Sequence, residues 1–303
     1  MKKFSIMIIM IILSISLVGC GQTDDSENNS KEIQAYTRDT SSGTREAFFD
    51  IIGIKKDFAE TTVGKIQEVS SNGDMISKVE NDKNGIGYIS LSSYDPKKLK
   101  ALTYGGVTGS DQTVLNGEYG LKRPFNYIVR ENSESDEDQI IAALIAFMTT
   151  EEGKATIYAN GGIVEMKDTD VSWNDIKQNY PITTKDNSHI TVKFGGSTSV
   201  QKIAEALSGQ FKGLAGNFIA DHNHTGSSDA YKRTQGSEKD GANKIHMGFL
   251  SRDFNLSEES KKENTYGILA WDAVVVVVHK NNAITDIDAQ TLKAIYTGEK
   301  KEW

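Results

Sequence analysis

The five consecutive valines at Val274–Val278 restrict the possible folds more than any other feature of the sequence. β-Branched residues favour strands, and a strand with no polar alternation has to be buried on both faces of its sheet. Other strand-like runs alternate along the chain with amphipathic helical patterns, the clearest at residues 136–149 and 288–296. The sequence therefore predicts an α/β fold with mixed sheets that are covered by helices.

The run Thr37–Thr44 is rich in small polar residues and leads directly into an amphipathic helical pattern. The first N–H groups of a helix have no backbone partner, so this turn would offer N–H and hydroxyl donors to an anion from Ser41, Ser42, Gly43 and Thr44. Arg38 could add the planar donors of its guanidinium. The alternative is an ordinary Ser/Thr helix cap beside an exposed arginine.

Two further turns have the same small-residue composition. Residues 194–199 lie between an alternating strand pattern and a helical pattern, and Thr225–Ser228 precedes another helix. Strand–turn–helix units of this kind direct backbone N–H groups at an anion. The sequence contains neither a P-loop motif nor a Gly-x-Gly-x-x-Gly after a predicted strand, so it gives no support to nucleotide hydrolysis or a dinucleotide-binding fold.

The N-terminus has the layout of a secretory signal peptide. Basic residues at positions 2 and 3 precede an apolar stretch over residues 6–18, which is shorter than a membrane-spanning helix needs. The ending Leu17-Val18-Gly19-Cys20 resembles a bacterial lipobox, which implies removal of residues 1–19 and lipidation of Cys20. We expect residues 20–31 to be the lipidated cysteine with a flexible polar tether, so that Cys20 anchors the protein to the lipid bilayer on the extracytoplasmic face of the cell membrane.

The composition restricts the partners. The chain has 42 acidic and 34 basic residues, and no basic stripe with interleaved aromatic residues is visible, which argues against nucleic-acid binding. Cys20 is the only cysteine, so no disulfide can form within the chain. An anion site in this acidic protein must rest on local hydrogen bonds rather than on its overall charge.

Many separate segments resemble the phosphate-binding proteins of bacterial ABC-type phosphate importers. The most specific are Arg-x-x-Ser-Ser-Gly-Thr at residues 38–44 and Tyr-Thr-Gly-Glu with a following Trp at residues 296–303. The remaining segments are residues 45–48, 85–91, 123–126, 151–153, 196–200, 247–252 and 273–282. The resemblance implies a two-lobed, periplasmic-binding-protein-like fold of type II with a ligand cleft between the lobes, and a protein that binds rather than catalyses.

The order of these segments differs from the family order, in which the Gly-Ser-Thr-Ser unit comes first. Joining Trp303 to Lys31 would restore that order, so we infer a circular permutation, with residues 181–188 bridging the original ends. A rearranged gene product that does not fold is the alternative. The permutation implies one lobe from residues 32–92 plus 270–303 and another from residues 93–269, with crossings near residues 89–93 and 267–274.

The resemblance also implies the ligands of the anion. One lobe would donate hydrogen bonds to the phosphate from Thr198, Ser199, Ser227 and Ser251. The other lobe would close over the phosphate with Arg38, Ser42, Gly43 and Thr44. No cofactor, metal or catalytic residue is expected. The expected partners are inorganic phosphate and the membrane subunits of an ABC importer.

One departure from the family affects selectivity. Many members carry an aspartate that accepts the proton of hydrogen phosphate at the position of Arg252. Asp39 and Asp229 are substitute acceptors that the sequence does not rank. Sulfate, molybdate or tungstate therefore remain alternative ligands of the same fold.

Three further alternatives are weaker. Hydrolase chemistry would pair Ser42 or Ser199 with a histidine, but no nucleophile elbow is present. His222 and His224 could share a face towards a metal, but no third ligand stands at a suitable spacing. The chain could also be a surface or sensor lipoprotein that does not take part in transport.

Overall fold

The computed structural model describes residues 32–55, 66–131, 134–260 and 262–303. The predicted signal peptide, Cys20 and the whole tether to residue 31 lie outside these residues. The strands are β1 (Gln34–Arg38), β2 (Ile66–Val69), β3 (Gly85–Ser90), β4 (Leu99–Ala101), β5 (Thr103–Tyr104), β6 (Lys122–Val129), β7 (Thr191–Gly196), β8 (Ile219–Asn223), β9 (Met247–Leu250), β10 (Tyr266–His279) and β11 (Asp286–Ile287). The α-helices are α1 (Gly43–Ile51), α2 (Asn72–Glu80), α3 (Asp111–Leu115), α4 (Asp136–Met148), α5 (Glu151–Ala159), α6 (Trp173–Ile176), α7 (Gln201–Leu214), α8 (Ser227–Thr234) and α9 (Ala289–Tyr296).

The long strand β10 joins two sheets into one continuous path. The strands follow the order β2-β1-β3-β10-β6-β9-β7-β8, and β4 also pairs with β10. Residues 274–278 pair antiparallel with β3, whereas residues 266–273 pair antiparallel with β6. The five valines are at most 1% exposed, as expected for a strand covered on both faces. This confirms the predicted α/β class with mixed sheets.

The apolar side chains form two large cores, one on each side of the crossing strands. The first is built from residues 33–121 and 273–296 together with Ile163, and the second from residues 125–270. Each core is covered by its own helices, which gives a two-lobed fold. Residues 31–303 nevertheless form one compact unit by their contacts.

The division between the cores differs from the predicted boundary at residues 92/93. Leu99, Leu102, Val114 and Leu121 pack in the first core, although the predicted second lobe comprised residues 93–269. The chain therefore passes between the lobes at residues 121–123, where β6 begins, and not near residues 89–93. The physical reason is that residues 94–121 return to β10 through β4 and bury their apolar side chains on that sheet.

The helices α1 and α8 start at positions set by small residues. Ser42 caps α1 by accepting a hydrogen bond from the Arg45 amide at 3.4 Å. Gly226, with φ of 148°, precedes α8 in a conformation that favours glycine. Helices that follow parallel strands begin at the carboxyl edge of a sheet, where ligands of open α/β sheets bind.

The two ends of the described chain lie side by side. Glu32 and Glu302 form an antiparallel bridge, and the Ile33 amide donates to the Lys301 carbonyl at 2.7 Å. This is the proximity that a circular permutation requires. Within the described ranges, no helix combines the length and hydrophobicity needed to span a bilayer.

Candidate functional site

Arg38 ends β1 and projects a buried guanidinium into the crevice between the lobes. It is 2% exposed, and Nη2 donates to the Ser70 carbonyl at 2.8 Å and to Thr198 Oγ1 of the second lobe at 3.5 Å. Nε and Nη1 have no hydrogen-bond partner among the described residues. Burial lowers the pKa of Arg38, and Asp39, 3.5 Å from Nη2, opposes that shift. A buried cation with unpaired N–H groups is suited to bind an anion.

Hydroxyl groups from both lobes meet next to this arginine. Thr44 Oγ1, in the first turn of α1, lies 3.0 Å from Ser199 Oγ, which follows β7 in the other lobe. Asn72, the first residue of α2, donates from Nδ2 to the same Ser199 hydroxyl at 3.2 Å. Since Thr44 and Asn72 belong to one lobe and Ser199 to the other, these contacts require the lobes to be closed on each other.

Three serines of the second lobe form a buried cluster. Ser197 Oγ donates to Ser251 Oγ at 2.9 Å, and Ser227 Oγ lies 3.3 Å from the same atom. The Ser251 amide donates to Ser227 Oγ at 3.0 Å, and all three residues are at most 2% exposed. Gly43 packs directly against this cluster, because a Cβ built on it would lie 2.2 Å from Ser227 Oγ.

The structure thus brings the sequence-predicted residues of both lobes together. Arg38, Gly43 and Thr44 face Thr198, Ser199, Ser227 and Ser251 across the crevice. Ser42 is buried beside them, but its hydroxyl accepts the Arg45 amide as the cap of α1. Their role as anion ligands stays a prediction.

Asn72 was not identified from the sequence, whereas Ser41 was counted among the donors at the start of α1; both residues contact the second lobe. Ser41 Oγ donates to the Thr225 carbonyl of the second lobe at 3.2 Å. Ser41 lies within the Ser-Ser-Gly-Thr motif, and that motif indicated its place beside the anion site. Asn72 follows a separate strand, and nothing in its local sequence indicates contact with Ser199.

A buried ion pair between Arg123 and Asp272 holds the serine cluster in place through Ser251. Arg123 donates from Nε and Nη2 to Asp272 Oδ2 at 2.9 and 2.7 Å, and both side chains are at most 1% exposed. Arg123 Nη1 also donates to the Ser251 carbonyl at 3.0 Å, while Ser90 donates to Asp272 Oδ1 at 2.9 Å. The pair therefore fixes Ser251 to the crossing strands β6 and β10.

Arg252 does not point at the anion crevice. Its Nη1 and Nη2 donate to both oxygens of Glu259 at 2.9 and 2.7 Å, and Nε lies 2.7 Å from Glu46 Oε2. Glu46 is on α1 in the first lobe, whereas Arg252 and Glu259 belong to the second. At the position where the resemblance implied a proton acceptor, this chain has an ion pair that connects the lobes in the closed form.

The two proposed substitute acceptors are engaged by their own loops. Asp39 Oδ1 accepts from the Ser41 amide at 2.9 Å and from the Ser41 hydroxyl. Asp229 Oδ2 accepts from Thr225 Oγ1. Both side chains are partly exposed, and Asp39 Oδ2 also lies 3.5 Å from Arg38 Nη2.

The histidines considered as metal ligands bind each other. His222 Nδ1 lies 3.2 Å from His224 Nε2, and His224 Nδ1 lies 3.1 Å from the Ser197 carbonyl. Burial lowers the pKa of both rings, that of His224 to about 4. Among the residues with described positions, no group of three or more His, Cys, Asp or Glu side chains is arranged to hold a metal ion.

Comparisons with known proteins agree with this architecture. Residues 181–303 match a family model described as a PBP superfamily domain. In a 313-residue alignment the chain is 29% identical to phosphate-binding protein PstS 2 of Streptococcus pneumoniae serotype 4, covering 99% of this chain and 98% of the relative. It is 26% identical to phosphate-binding protein PstS 2 of Streptococcus agalactiae serotype V, with 100% and 98% coverage.

A solved structure has the same fold. The crystal structure of a phosphate-binding protein of a phosphate ABC transporter from Streptococcus pneumoniae TIGR4 aligns with a TM-score of 0.66 and 29% identity, covering 90% of this chain and 98% of that chain. The full-length sequence alignments run through both partners in one order, so a circular permutation would be shared with these streptococcal relatives. The permutation itself stays a prediction.

Proposed function

We propose that this chain is a PBP-superfamily protein that captures inorganic phosphate between its two lobes and delivers it to the membrane subunits of an ABC importer. Relatives that align with it from end to end are named phosphate-binding proteins. The solved structure that shares its fold belongs to a phosphate ABC transporter. The proposed task is binding without a chemical step.

The observation that carries the proposal is the buried guanidinium of Arg38. Its Nε and Nη1 are unpaired at 2% exposure, which is costly unless an anion accepts from them. Neutral hydroxyls of Thr44, Thr198 and Ser199 lie around it and can donate to the remaining oxygens. One positive charge and many neutral donors suit a dehydrated oxyanion in a protein whose net charge is −8.

The site also explains how binding could be signalled. Its donors come from both lobes, so an anion that contacts all of them binds the closed form more tightly than the open form. Domain closure around a ligand is a common switching motion, and a membrane transporter can distinguish the two forms. The contacts Thr44–Ser199 and Ser41–Thr225 describe the closed form of this chain.

The N-terminal sequence supports a location for the protein. The lipobox-like ending at Cys20 supports a lipid anchor on the extracytoplasmic face of the cell membrane, with residues 21–31 as a tether. A receptor held in this way stays near the importer while its binding lobes are free to collect solute. Mass spectrometry of the mature N-terminal peptide would test the anchor, since an unmodified Cys20 would contradict it.

Calorimetric titration tests the binding function. We expect residues 31–303, which form one compact unit, to bind phosphate at pH 7 more tightly than sulfate, molybdate or tungstate. Arg38→Ala should abolish binding, whereas Arg130→Ala, a surface arginine paired with Asp240, should not change it. Absence of heat with all four anions from a folded sample would refute the proposal, and tighter binding of another oxyanion would change the ligand but not the fold.

A further inference from the structure

The crevice contains an unpaired acceptor as well as unpaired donors. Asn72 is 7% exposed, and its Oδ1 is buried without a hydrogen-bond partner in the part of the chain that the structure describes. Its Nδ2 donates to Ser199 Oγ at 3.2 Å, so the amide lies against the hydroxyls assigned to the anion. Arg38, which has the unpaired donors, contacts the same loop through the Ser70 carbonyl at 2.8 Å.

Unpaired donors and an unpaired acceptor select different properties of a ligand. Any tetrahedral oxyanion can accept from Nε and Nη1 of Arg38. Only an oxyanion that carries a proton can donate to Oδ1 of Asn72. Hydrogen phosphate has such a proton at neutral pH, whereas sulfate has none and would place two acceptors against each other.

We propose that Asn72 Oδ1 accepts the P–OH proton of bound phosphate and so contributes to the selection of phosphate over sulfate. The inference rests on the proposed function, because it assigns a role within the same site. No covalent step is involved, and the proton stays on the phosphate as the donor of a hydrogen bond.

The carboxylates near the crevice are less suited to this role than the Asn72 amide. Asp39 accepts from the Ser41 amide and pairs with Arg38 Nη2 at 3.5 Å, and Asp229 accepts from Thr225 Oγ1. Arg252, at the position where the resemblance implied an acceptor, pairs with Glu259 and Glu46. Asp272 is buried but is held by Arg123 and Ser90.

The orientation of the amide determines how strict the selection is. Asn72 begins α2 behind the cap residue Ser71, which fixes its backbone, and donation from Nδ2 to Ser199 Oγ directs Oδ1 away from that hydroxyl. With sulfate bound, the repulsion from Oδ1 would be relieved if the amide turned over, so that Nδ2 faced the anion and the Ser199 hydroxyl donated to Oδ1. An amide therefore discriminates less strongly than a carboxylate, which can only accept.

The test compares phosphate, arsenate and sulfate on residues 31–303, with sulfate measured by competition against phosphate where it binds weakly. For Asn72→Ala we expect phosphate and arsenate affinity to fall roughly ten- to hundredfold, since a protonated oxygen loses its acceptor, and sulfate affinity to fall much less. For the nearly isosteric Asn72→Asp we expect the phosphate-to-sulfate affinity ratio to rise. Asn81→Ala, at the exposed C-terminal end of the same helix, serves as the control.

The outcomes separate this inference from the proposed function. If the wild-type protein binds phosphate but the phosphate-to-sulfate ratio of Asn72→Ala stays within twofold of wild type, or the ratio of Asn72→Asp falls, Asn72 is not the acceptor. If the wild-type protein binds no phosphate, the function itself fails and the inference with it. Circular dichroism and thermal unfolding of each variant show whether a loss of affinity comes from a loss of fold.

Discussion

Gly43→Ala would separate closure of the lobes from the stability of either lobe. Gly43 is the first residue of α1, and its backbone is not in the left-handed region, so alanine fits its conformation. A Cβ at this position would lie 2.2 Å from Oγ and 2.7 Å from Cβ of Ser227, and 3.0 Å from Ser251 Oγ. All three atoms belong to the opposite lobe, so the clash exists only when the lobes are closed.

The size of the effect follows from these distances. Rotation of the Ser227 hydroxyl would relieve the contact with Oγ, but the contact with Ser227 Cβ remains because that atom is fixed by α8. The helix termini must therefore move apart, and overpacking of this kind costs about 1–3 kcal/mol. The phosphate affinity should fall by roughly 5- to 150-fold, since each 1.4 kcal/mol is a factor of ten.

Titration calorimetry together with thermal unfolding would measure both quantities. We expect Gly43→Ala to bind phosphate more weakly while its melting temperature without ligand stays at or above that of the wild type, because alanine favours a helix over glycine. Gly209→Ala is the matched control, since its Cβ would meet nothing within 4 Å. Wild-type affinity in Gly43→Ala would refute the closed-cleft reasoning, and a lower melting temperature without ligand would show that the clash is not confined to closure.

Three other predictions concern groups around the site. Glu46→Gln removes the interlobe contact with Arg252 and should speed phosphate dissociation about two- to fivefold in stopped-flow experiments, with an unchanged rate counting against the contact. Arg123→Met leaves Asp272 as an uncompensated buried charge and should lower the free energy of unfolding by about 3–5 kcal/mol in denaturant titrations; a change below 1 kcal/mol would contradict this. Burial holds the pKa of His224 at about 4, below its unfolded value of about 6.5, so the free energy of unfolding should decrease as the pH falls from about 6.5 to about 4. His224→Asn keeps an N–H for the Ser197 carbonyl and should weaken this pH dependence. The same pH dependence of the unfolding free energy in wild type and variant would disprove the assignment to His224.

The fold could be predicted from the sequence wherever the local pattern was strong. The valine run predicted the central strand, and the apolar spacing of residues 136–148 predicted α4. The boundary between the lobes could not be found in this way, because residues 93–121 contain only short strands and a five-residue helix. Which core receives Leu99 or Tyr119 depends on the pairing of β4 with β10, and that pairing is a long-range contact.

The candidate site was predictable to the extent that its residues lie in strand–turn–helix motifs. Ser199 and Thr44 belong to such motifs, and the structure brings them together at 3.0 Å. Asn72 stands in an ordinary helix start, and its proximity to Ser199 depends on how two lobes close. Arg252 could be located in the sequence, but its partners Glu46 and Glu259 come from separate elements and are not visible in any local pattern.

The sharing of β10 between the two sheets has a consequence for folding. One half of this strand is the partner of β3 and the other half is the partner of β6, so neither sheet is complete without the same 14-residue segment. A fragment that contains one lobe would keep only part of the strand and expose an unpaired edge. We therefore expect the two lobes to unfold in a single cooperative transition, and expression of either lobe alone to give aggregates rather than an autonomous domain.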